Sequence, residues 1–351
     1  MADAQDWVSR ARARVIEVLE DQHAVVHAEI ESRISEAGWQ RSGLNIDPHH
    51  VTTAVRELRD EGVVEWTSSS TRGGRAVSTL SLVDTTGRAT AITRSAARKR
   101  LLFTRYLSWA QGTKRYPEGL IGPAGETATR AGILESGVVL PATPGAGPVS
   151  RILNVKLNGP LDSGGYVIPL VQGIPQAPVT VLIEVKSVRS WIYPTSSEPY
   201  QLLSKGVHLQ RAQPDAPIVP ILVCRRAHAT TFWLAKRLGF LIIEMGRQFV
   251  GEVEEDQMIE VRNGLQFNDL ALGSGPSLRV RDRLRTVVLP QAADFAQLWK
   301  NAAATRAGDL IVAAHKAKKD TARHPLVAEL QTQADKHHRS PSTPTVPDPP
   351  F

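Results

Sequence analysis

The stretch VTVLIEVKS, from Val179 to Ser187, has apolar residues at its odd positions as far as Val185 and charged residues at two even positions, Glu184 and Lys186. A period of two is typical of a β-strand and places both charges on one face. Because burying unpaired charge is costly, two charges on an otherwise apolar strand need a partner. A metal ion would be one such partner.

An aspartate precedes this strand in the run GPLDSGG, from Gly159 to Gly165. Asp162 and Glu184 are 22 positions apart. That separation fits a neighbouring strand joined by a loop. Asp162 is therefore predicted to lie beside Glu184.

The surrounding residues alternate between helical and extended patterns, with a loop rich in proline and glycine over 141–148. Helices are predicted over 125–135, 199–212 and 229–238, and strands over 151–157, 165–170, 179–187, 218–224 and 240–244. The predicted fold class is a mixed α/β core.

This region, from about Gly119 to Glu244, resembles the PD-(D/E)xK nuclease superfamily, whose core runs helix, three strands, helix, strand. Asp162 with the preceding Pro160 and Leu161 matches the first half of the motif with one residue inserted, and Glu184 to Lys186 match the second. The resemblance implies a restriction endonuclease-like core over 119–250. An E-x-K triplet also arises by chance on surface strands, so an unrelated α/β domain is the alternative.

The resemblance also implies roles for individual residues. Asp162, Glu184 and the backbone carbonyl of Val185 would hold Mg²⁺ or Mn²⁺, because phosphodiester hydrolysis needs an activated water and a stabilised phosphate charge. Lys186 would orient the water or neutralise developing charge. A glutamate on the first helix would complete the catalytic site, Glu126 first and Glu135 in reserve. Gln201 or Gln210, on the helix after the E-x-K strand, would be accessory.

The first 84 residues read as three helices and a hairpin. The predicted helices cover 6–20 and 25–37, and a third begins at Asp47, which caps it with Pro48 in the first turn, and ends at Gly62. Strands are predicted over 63–67 and 77–82. The order resembles the winged helix-turn-helix family over about Arg10 to Val83, within a predicted domain 1–84.

That second resemblance implies a DNA-binding surface. Five residues of the third helix would face base edges, and two on the wing would reach phosphates: His49, His50, Thr52, Thr53, Arg56, Arg72 and Arg75. Winged helices also mediate protein contacts, which is the alternative.

A basic connecting helix is predicted within residues 85–118, where 85–115 contain eight lysines and arginines and no acidic residue. Over 92–111 Arg94, Arg98 and Arg105 share one side, which suits a DNA backbone because each neutralised phosphate releases counterions. The alternative is a solvated connecting helix that contacts no DNA.

Charge, cysteine content and hydropathy limit the possible partners, metal sites and location of the protein. A net charge of +7 and a pI near 9.7 favour a polyanionic partner. One cysteine excludes an internal disulfide and paired-cysteine zinc sites. No apolar run suggests a membrane span or export, so a cytoplasmic protein is expected. Residues 251–336 are predicted to form an extension with helices over 291–304 and 306–318, followed by a disordered tail, 337–351.

The resulting prediction is a metal-dependent DNA endonuclease of restriction or defence type that uses Mg²⁺ or Mn²⁺ on double-stranded DNA. A homodimer is expected if one site per chain cuts both strands. The runner-up is a DNA-binding regulator with an inactive nuclease-like core. An RNA-directed enzyme is the third hypothesis.

Overall fold

The computed structural model describes residues 4–36, 46–70, 76–83, 87–273 and 275–338. The fold is mixed α/β, as predicted, and divides into two compact units. One unit comprises Met1–Ile121 with Val250–Leu272, and the other Gly122–Phe249 with Gly273–Phe351. None of the helices in the described ranges has the length and apolarity needed to cross a bilayer.

The first unit begins with three helices and a small antiparallel sheet of order β1-β3-β2. The elements are α1 Ala4–Gln22, β1 Ala24–Val25, α2 His27–Glu31 with a π-helical turn Ser32–Glu36, α3 Pro48–Asp60, β2 Val64–Ser70, β3 Ala76–Leu82 and α4 Ala89–Gln111. Their core is formed by buried residues such as Leu19, Ile30, Val51, Leu58 and Leu80. The predicted order of helices and hairpin is confirmed.

In this region the start of α2 differs from the prediction, and some predicted features lie outside the described residues. Val25 was predicted to start a helix, but it belongs to β1 and pairs with Leu80, so α2 begins only at His27. The predicted last residue of that helix, Ala37, and the wing residues Arg72 and Arg75 lie outside the described residues.

The predicted cap of α3 is confirmed. The Asp47 carboxylate accepts a hydrogen bond from the His49 backbone N–H at 2.7 Å, and Pro48 occupies the first turn. We expect Asp47→Ala to lower the free energy of opening of α3 by about 1 kcal/mol, because one amide donor loses its acceptor. Native-state hydrogen exchange of α3 amides would measure this. Asp60→Ala, at the other end of the helix, should leave that exchange unchanged, and equal effects of both substitutions would contradict the capping role.

The second unit is built on a five-stranded mixed sheet of order β12-β11-β10-β7-β4. In chain order the elements are α5 Ile121–Ser136, β4 Val139–Pro141, a 3₁₀ turn Pro144–Ala146, β5 Val149–Ile152, β6 Val155–Leu161, β7 Ser163–Val167, β8 Leu170–Val171, β9 Ile174–Pro175, β10 Val179–Lys186, α6 Glu198–Ala212, β11 Ile218–Cys224, α7 Ala229–Leu238, β12 Leu241–Glu244 and β13 Gln248–Val250. β10, β11 and β12 are parallel, whereas β7 is antiparallel to both β10 and β4.

Both faces of β10 are buried. The odd positions, such as Val181 and Ile183, pack with α5 and the later helices α9 and α10, which comprise Leu278–Arg283 and Leu289–Ala303. Leu182, at an even position, packs with residues of α6 and α7 on the opposite face. A parallel strand that is covered on both faces usually has a nearly continuous apolar sequence, so a charged residue such as Glu184 is unusual there.

Two predicted strands were wrong in their bounds. Residues 151–157 form parts of the hairpin β5–β6, because Leu153 and Asn154 adopt positive φ values of 50° and 63° and turn the chain back. The strand predicted over 165–170 is β7, which ends at Val167 before Pro169 removes a backbone donor.

The region predicted as one extension, 251–336, is divided between the two units. Its first part forms α8 Glu255–Gly264 and β14 Leu270–Leu272 in the first unit, where Met258, Val261 and Phe267 pack with residues of α4. The rest, in the second unit, contains α9, a π-helical turn Leu284–Val288, α10, α11 Arg306–Lys316 and α12 Asp320–His338. The helices predicted over 291–304 and 306–318 correspond to α10 and α11, whereas α12 was not predicted. Residues 339–351, most of the predicted tail, lie outside the described residues.

Candidate active site

Asp162 lies between β6 and β7, at the point where the chain enters the central sheet. The last antiparallel pair of β7 with β10 is Ser163 with Ile183, so Asp162 stands one position further along, beside Glu184. The Asp162 Oδ2 atom accepts a hydrogen bond of 2.6 Å from the Val185 backbone N–H. The carboxylate is thereby fixed against β10, in the neighbourhood that the sequence predicted.

Glu184 is buried and is held by two ammonium groups. Its Oε1 atom lies 2.9 Å from Lys186 Nζ, which confirms that the two charges share a face of β10. Its Oε2 atom lies 2.9 Å from Lys205 Nζ, and Lys205 also donates to the Pro160 carbonyl at 2.6 Å. Lys205 therefore links α6, β10 and the residues before Asp162, a role that the sequence analysis missed.

Glu126 reaches the same cluster from α5. Gly125 packs closely on the residue after β10, since a Cβ atom added there would lie 3.1 Å from Ser187 Cβ. Glu126 accepts a hydrogen bond from Arg130 Nη2 at 2.8 Å, and Arg130 Nε donates to the Asp162 carbonyl at 3.3 Å. Helix α5 is thus tied to the strand that carries Asp162, and Arg130 is a second residue that the sequence analysis missed.

Burial and neighbouring charges raise the pKa values of two carboxyl groups in the cluster. Burial, followed by repulsion from Glu184, raises the pKa of Asp162 despite the Val185 hydrogen bond and the nearby lysines. Burial, followed by repulsion from Asp162, raises the pKa of Glu126, and Arg130 opposes that shift. Both carboxylates are therefore less stable in the folded protein than in water, which is the situation that a bound cation relieves.

This raised pKa gives a signed prediction for Asp162→Asn. A carboxyl group whose pKa is raised on folding favours the folded state at low pH and loses that contribution as the pH rises through the folded pKa. With EDTA present, the stability of the variant relative to wild type should therefore increase as the pH rises above about 4, the ordinary pKa of an aspartate. Urea unfolding, followed by hydrogen exchange in β10, would measure the difference.

The matched control is Asp309→Asn, which changes an exposed carboxylate paired with Arg211 on the surface of the same unit. It should show no such gain with pH. A stability difference that does not shift in favour of Asp162→Asn as the pH rises would contradict the dominance of burial and repulsion.

The remaining predicted site residues differ in how close they lie to the cluster. Gln201 is half-buried and lies one helical turn before Lys205 on α6. Gln210 is not brought to the cluster, because its amide donates to the carbonyls of Gln213, Pro214 and Ala216 at the opposite end of the sheet. Glu135 is exposed near the far end of α5, about 13 Å along the helix from Glu126.

The donor chemistry of the cluster suits a hard divalent cation. Asp162 and Glu184 offer carboxylate oxygens, the ligands that Mg²⁺ prefers. Across the described ranges no group of three or more Asp, Glu, His or Cys side chains forms a ready-made metal cage. Mg²⁺ is commonly held by only one or two carboxylates together with substrate phosphates, and this cluster supplies two carboxylates. Because lysines hold both oxygens of Glu184, a cation would displace at least one of them.

The residues predicted to contact DNA lie in the first unit. On α3, His49 and Arg56 are exposed, and His50, Thr52 and Thr53 are half-buried. The Thr53 hydroxyl donates to the His49 carbonyl at 3.0 Å, so its hydrogen is used within the helix.

The basic side of α4 is smaller than the sequence suggested. Arg94 and Arg98 are exposed, but Arg105 pairs with Glu260 at 2.5 Å. Lys99 is buried, with its Nζ atom 2.5 Å from Glu29 Oε1. Carboxylates from other segments thus compensate part of a run that contains no acid itself.

Comparison with known proteins identifies no relative, since no family, curated protein or solved structure matches the chain. Function must therefore be inferred from the chemistry of the cluster. Two adjacent carboxylates with a lysine on the same strand face can hold a divalent cation and stabilise negative charge.

Proposed function

We propose that the chain is a metal-dependent DNA endonuclease, of restriction or defence type, that hydrolyses phosphodiester bonds at the cluster of Asp162, Glu184 and Lys186. The single observation that carries the proposal is the position of Asp162 beside Glu184 across two antiparallel strands, with Lys186 Nζ 2.9 Å from Glu184 Oε1. Two carboxylates and an ammonium in this order along the chain are the residue types that such chemistry requires.

The order of elements in the second unit supports the same assignment. The superfamily core runs helix, three strands, helix, strand, and α5, β4, β7, β10, α6 and β11 occur in that order. The hairpins β5–β6 and β8–β9 are inserted between core strands, and α7 with β12 extends the sheet. Asp162 precedes the second core strand and Glu184 lies on the third, as the resemblance requires.

Each residue of the cluster has a definite task in this proposal. Asp162 and Glu184 would hold Mg²⁺ or Mn²⁺, which would polarise the phosphate and the attacking water. The Lys186 ammonium would neutralise negative charge that develops on the phosphate. Lys205, anchored on the Pro160 carbonyl, keeps Glu184 in position. Glu126, with its raised pKa, is a stronger proton acceptor than an exposed glutamate.

The first unit would deliver the substrate. Three helices and a hairpin, with a capped third helix whose outer face carries His49 and Arg56, support a winged helix that binds double-stranded DNA. Arg94 and Arg98 on α4 add positive charge for the phosphate backbone.

The proposal is tested by incubating the purified full chain with supercoiled plasmid and linear duplex DNA in Mg²⁺, in Mn²⁺ and in EDTA. Cleavage only in the presence of metal is the expected result, and RNA of matched sequence tests the choice of substrate. Tight, salt-sensitive DNA binding without cleavage in either metal would favour the runner-up, a DNA-binding regulator. The observation that favours this second function is that lysines hold both carboxylate oxygens of Glu184.

A further inference from the structure

Three parallel strands of the second unit end side by side, and the loops that follow them form one surface. Lys186 at the end of β10 pairs with Cys224 at the end of β11, which pairs with Glu244 at the end of β12. The next residues of each strand therefore leave the sheet at the same edge, immediately beyond the candidate active site.

Hydrogen bonds hold these loops together. The Gln248 amide donates to the Ser187 carbonyl at 2.8 Å, and the Ile192 N–H donates to the Arg226 carbonyl at 3.0 Å. The Glu244 carboxylate accepts from the Ala227 N–H at 2.7 Å. Glu244, an acidic residue at this edge, thus has a structural task. The three hydrogen bonds connect the loops to one another.

Arginines are concentrated on this surface. Arg189, Arg226 and Arg247 each follow a different one of the three strands, and Arg279 lies against the third loop, because a Cβ atom added to Gly246 would come within 2.6 Å of its Nη1 atom. Arg247 is exposed and the other three are half-exposed. We call these four residues the arginine rim.

The guanidinium of one member of the arginine rim lies over an aromatic ring. The Arg226 guanidinium carbon lies 5.8 Å from the centre of the half-exposed Trp191 ring. A guanidinium held over an indole ring by a cation–π contact loses less side-chain entropy when it binds an anion. Planar donors of this kind match phosphate oxygens in pairs.

We propose that the arginine rim binds the backbone phosphates of duplex DNA next to the bond being cut. The identity of the ligand rests on the proposed nuclease function, whereas the charge and the fixed geometry of the rim do not. Lys186 is only three residues from Arg189, so the rim begins next to the cluster, and a strand whose phosphate occupies the cluster can extend onto it. Recognition of phosphates would make this contact independent of base sequence.

The first test measures duplex binding by the full chain in EDTA, where a metal-dependent enzyme does not cut, as a function of salt concentration. The Arg226→Gln/Arg247→Gln variant should lower the slope of log K against log salt by about 1 for each arginine that contacts a phosphate. The control, Arg151→Gln/Arg211→Gln, removes two exposed charges elsewhere on the same unit. An unchanged slope in the rim variant, or an equal change in the control, would overturn the proposal.

The second test uses the single cysteine of the chain. Cys224 is buried, and burial raises the pKa of its thiol, so a cysteine introduced on the surface can be labelled selectively. Ser190→Cys, exposed between Arg189 and Trp191, should crosslink duplex DNA through a photoreactive label, and Ala212→Cys, at the end of α6, should not. Absence of a Ser190→Cys crosslink would refute the rim as a DNA surface. Because neither readout requires cleavage, loss of the nuclease proposal would be recognised separately in the plasmid assay.

Discussion

Lys186→Met is expected to reduce Mg²⁺-dependent DNA cleavage by on the order of 10² to 10³-fold, the usual effect of removing one group that stabilises charge in a transition state. The side chain is about one-fifth exposed, and its ammonium, which lies 2.9 Å from Glu184 Oε1, can turn from that oxygen to a phosphate when a cation takes its place. Methionine keeps an unbranched side chain that is only one atom shorter and removes the charge. Single-turnover cleavage of a labelled duplex would measure the loss.

The matched control is Lys156→Met, which removes an exposed lysine from β6 of the same unit and should leave the cleavage rate unchanged. Glu184→Gln, which removes a proposed metal ligand without changing its shape, should abolish cleavage while duplex binding in EDTA persists. Full cleavage by Lys186→Met would remove this lysine from the mechanism. Loss of cleavage together with loss of folding would be detected by hydrogen exchange in β10.

The sequence of β10 was sufficient to predict its own geometry. Alternation placed Glu184 and Lys186 on one face, and their contact confirms it. The position of Asp162 beside that strand was also predictable, because a run of turn-forming residues preceded a second extended segment at a suitable distance. These features are local, or they depend on one strand pairing with the next.

Lys205 was missed because its role depends on three segments that are distant in the chain. The resemblance directed attention to glutamines on α6, and a lysine on a helix is ordinarily solvated. A signal was nevertheless present, since Leu202, Leu203, Val207 and Leu209 give this helix a wide apolar face and Lys205 lies at the edge of that face. A lysine next to a buried face is itself drawn into the interior, where it requires a carboxylate or several acceptors.

The division of the chain into units could not be read from local patterns. Residues 250–272 join the first unit because Met258, Val261 and Phe267 cover apolar side chains of α4. This packing depends on contacts between residues that are more than a hundred positions apart in the sequence. For the same reason the acid-free run around α4 suggested a continuous basic surface, although Glu260 neutralises Arg105 and Glu29 lies against the buried Lys99.

The largest stability effect in the cluster is expected for Lys205→Met. Its ammonium is the partner of Glu184 Oε2 at 2.9 Å, and the Glu184 side chain is only 6% exposed. Removing Lys205 leaves the Oε2 atom of a buried carboxylate without its ion-pair partner, while Lys186 still holds Oε1, so unfolding of the second unit should become easier by about 3 kcal/mol. Hydrogen exchange of β10 and β11 peptides under native conditions would report on this unit separately from the first.

Comparison with Lys300→Met and a double-mutant cycle would identify the cause of that loss. Lys300 pairs with the fully exposed Asp215 at 3.1 Å, and because solvent screens such a pair, its removal should have no measurable effect. Glu184→Gln/Lys205→Met should be more stable than the sum of the single variants implies, since neither charge is then left buried without its partner. Additive losses would mean that Lys205 stabilises the unit only through the Pro160 carbonyl and through its packing. A coupled loss would establish Lys205 as the residue that holds the Glu184 carboxylate beside Asp162.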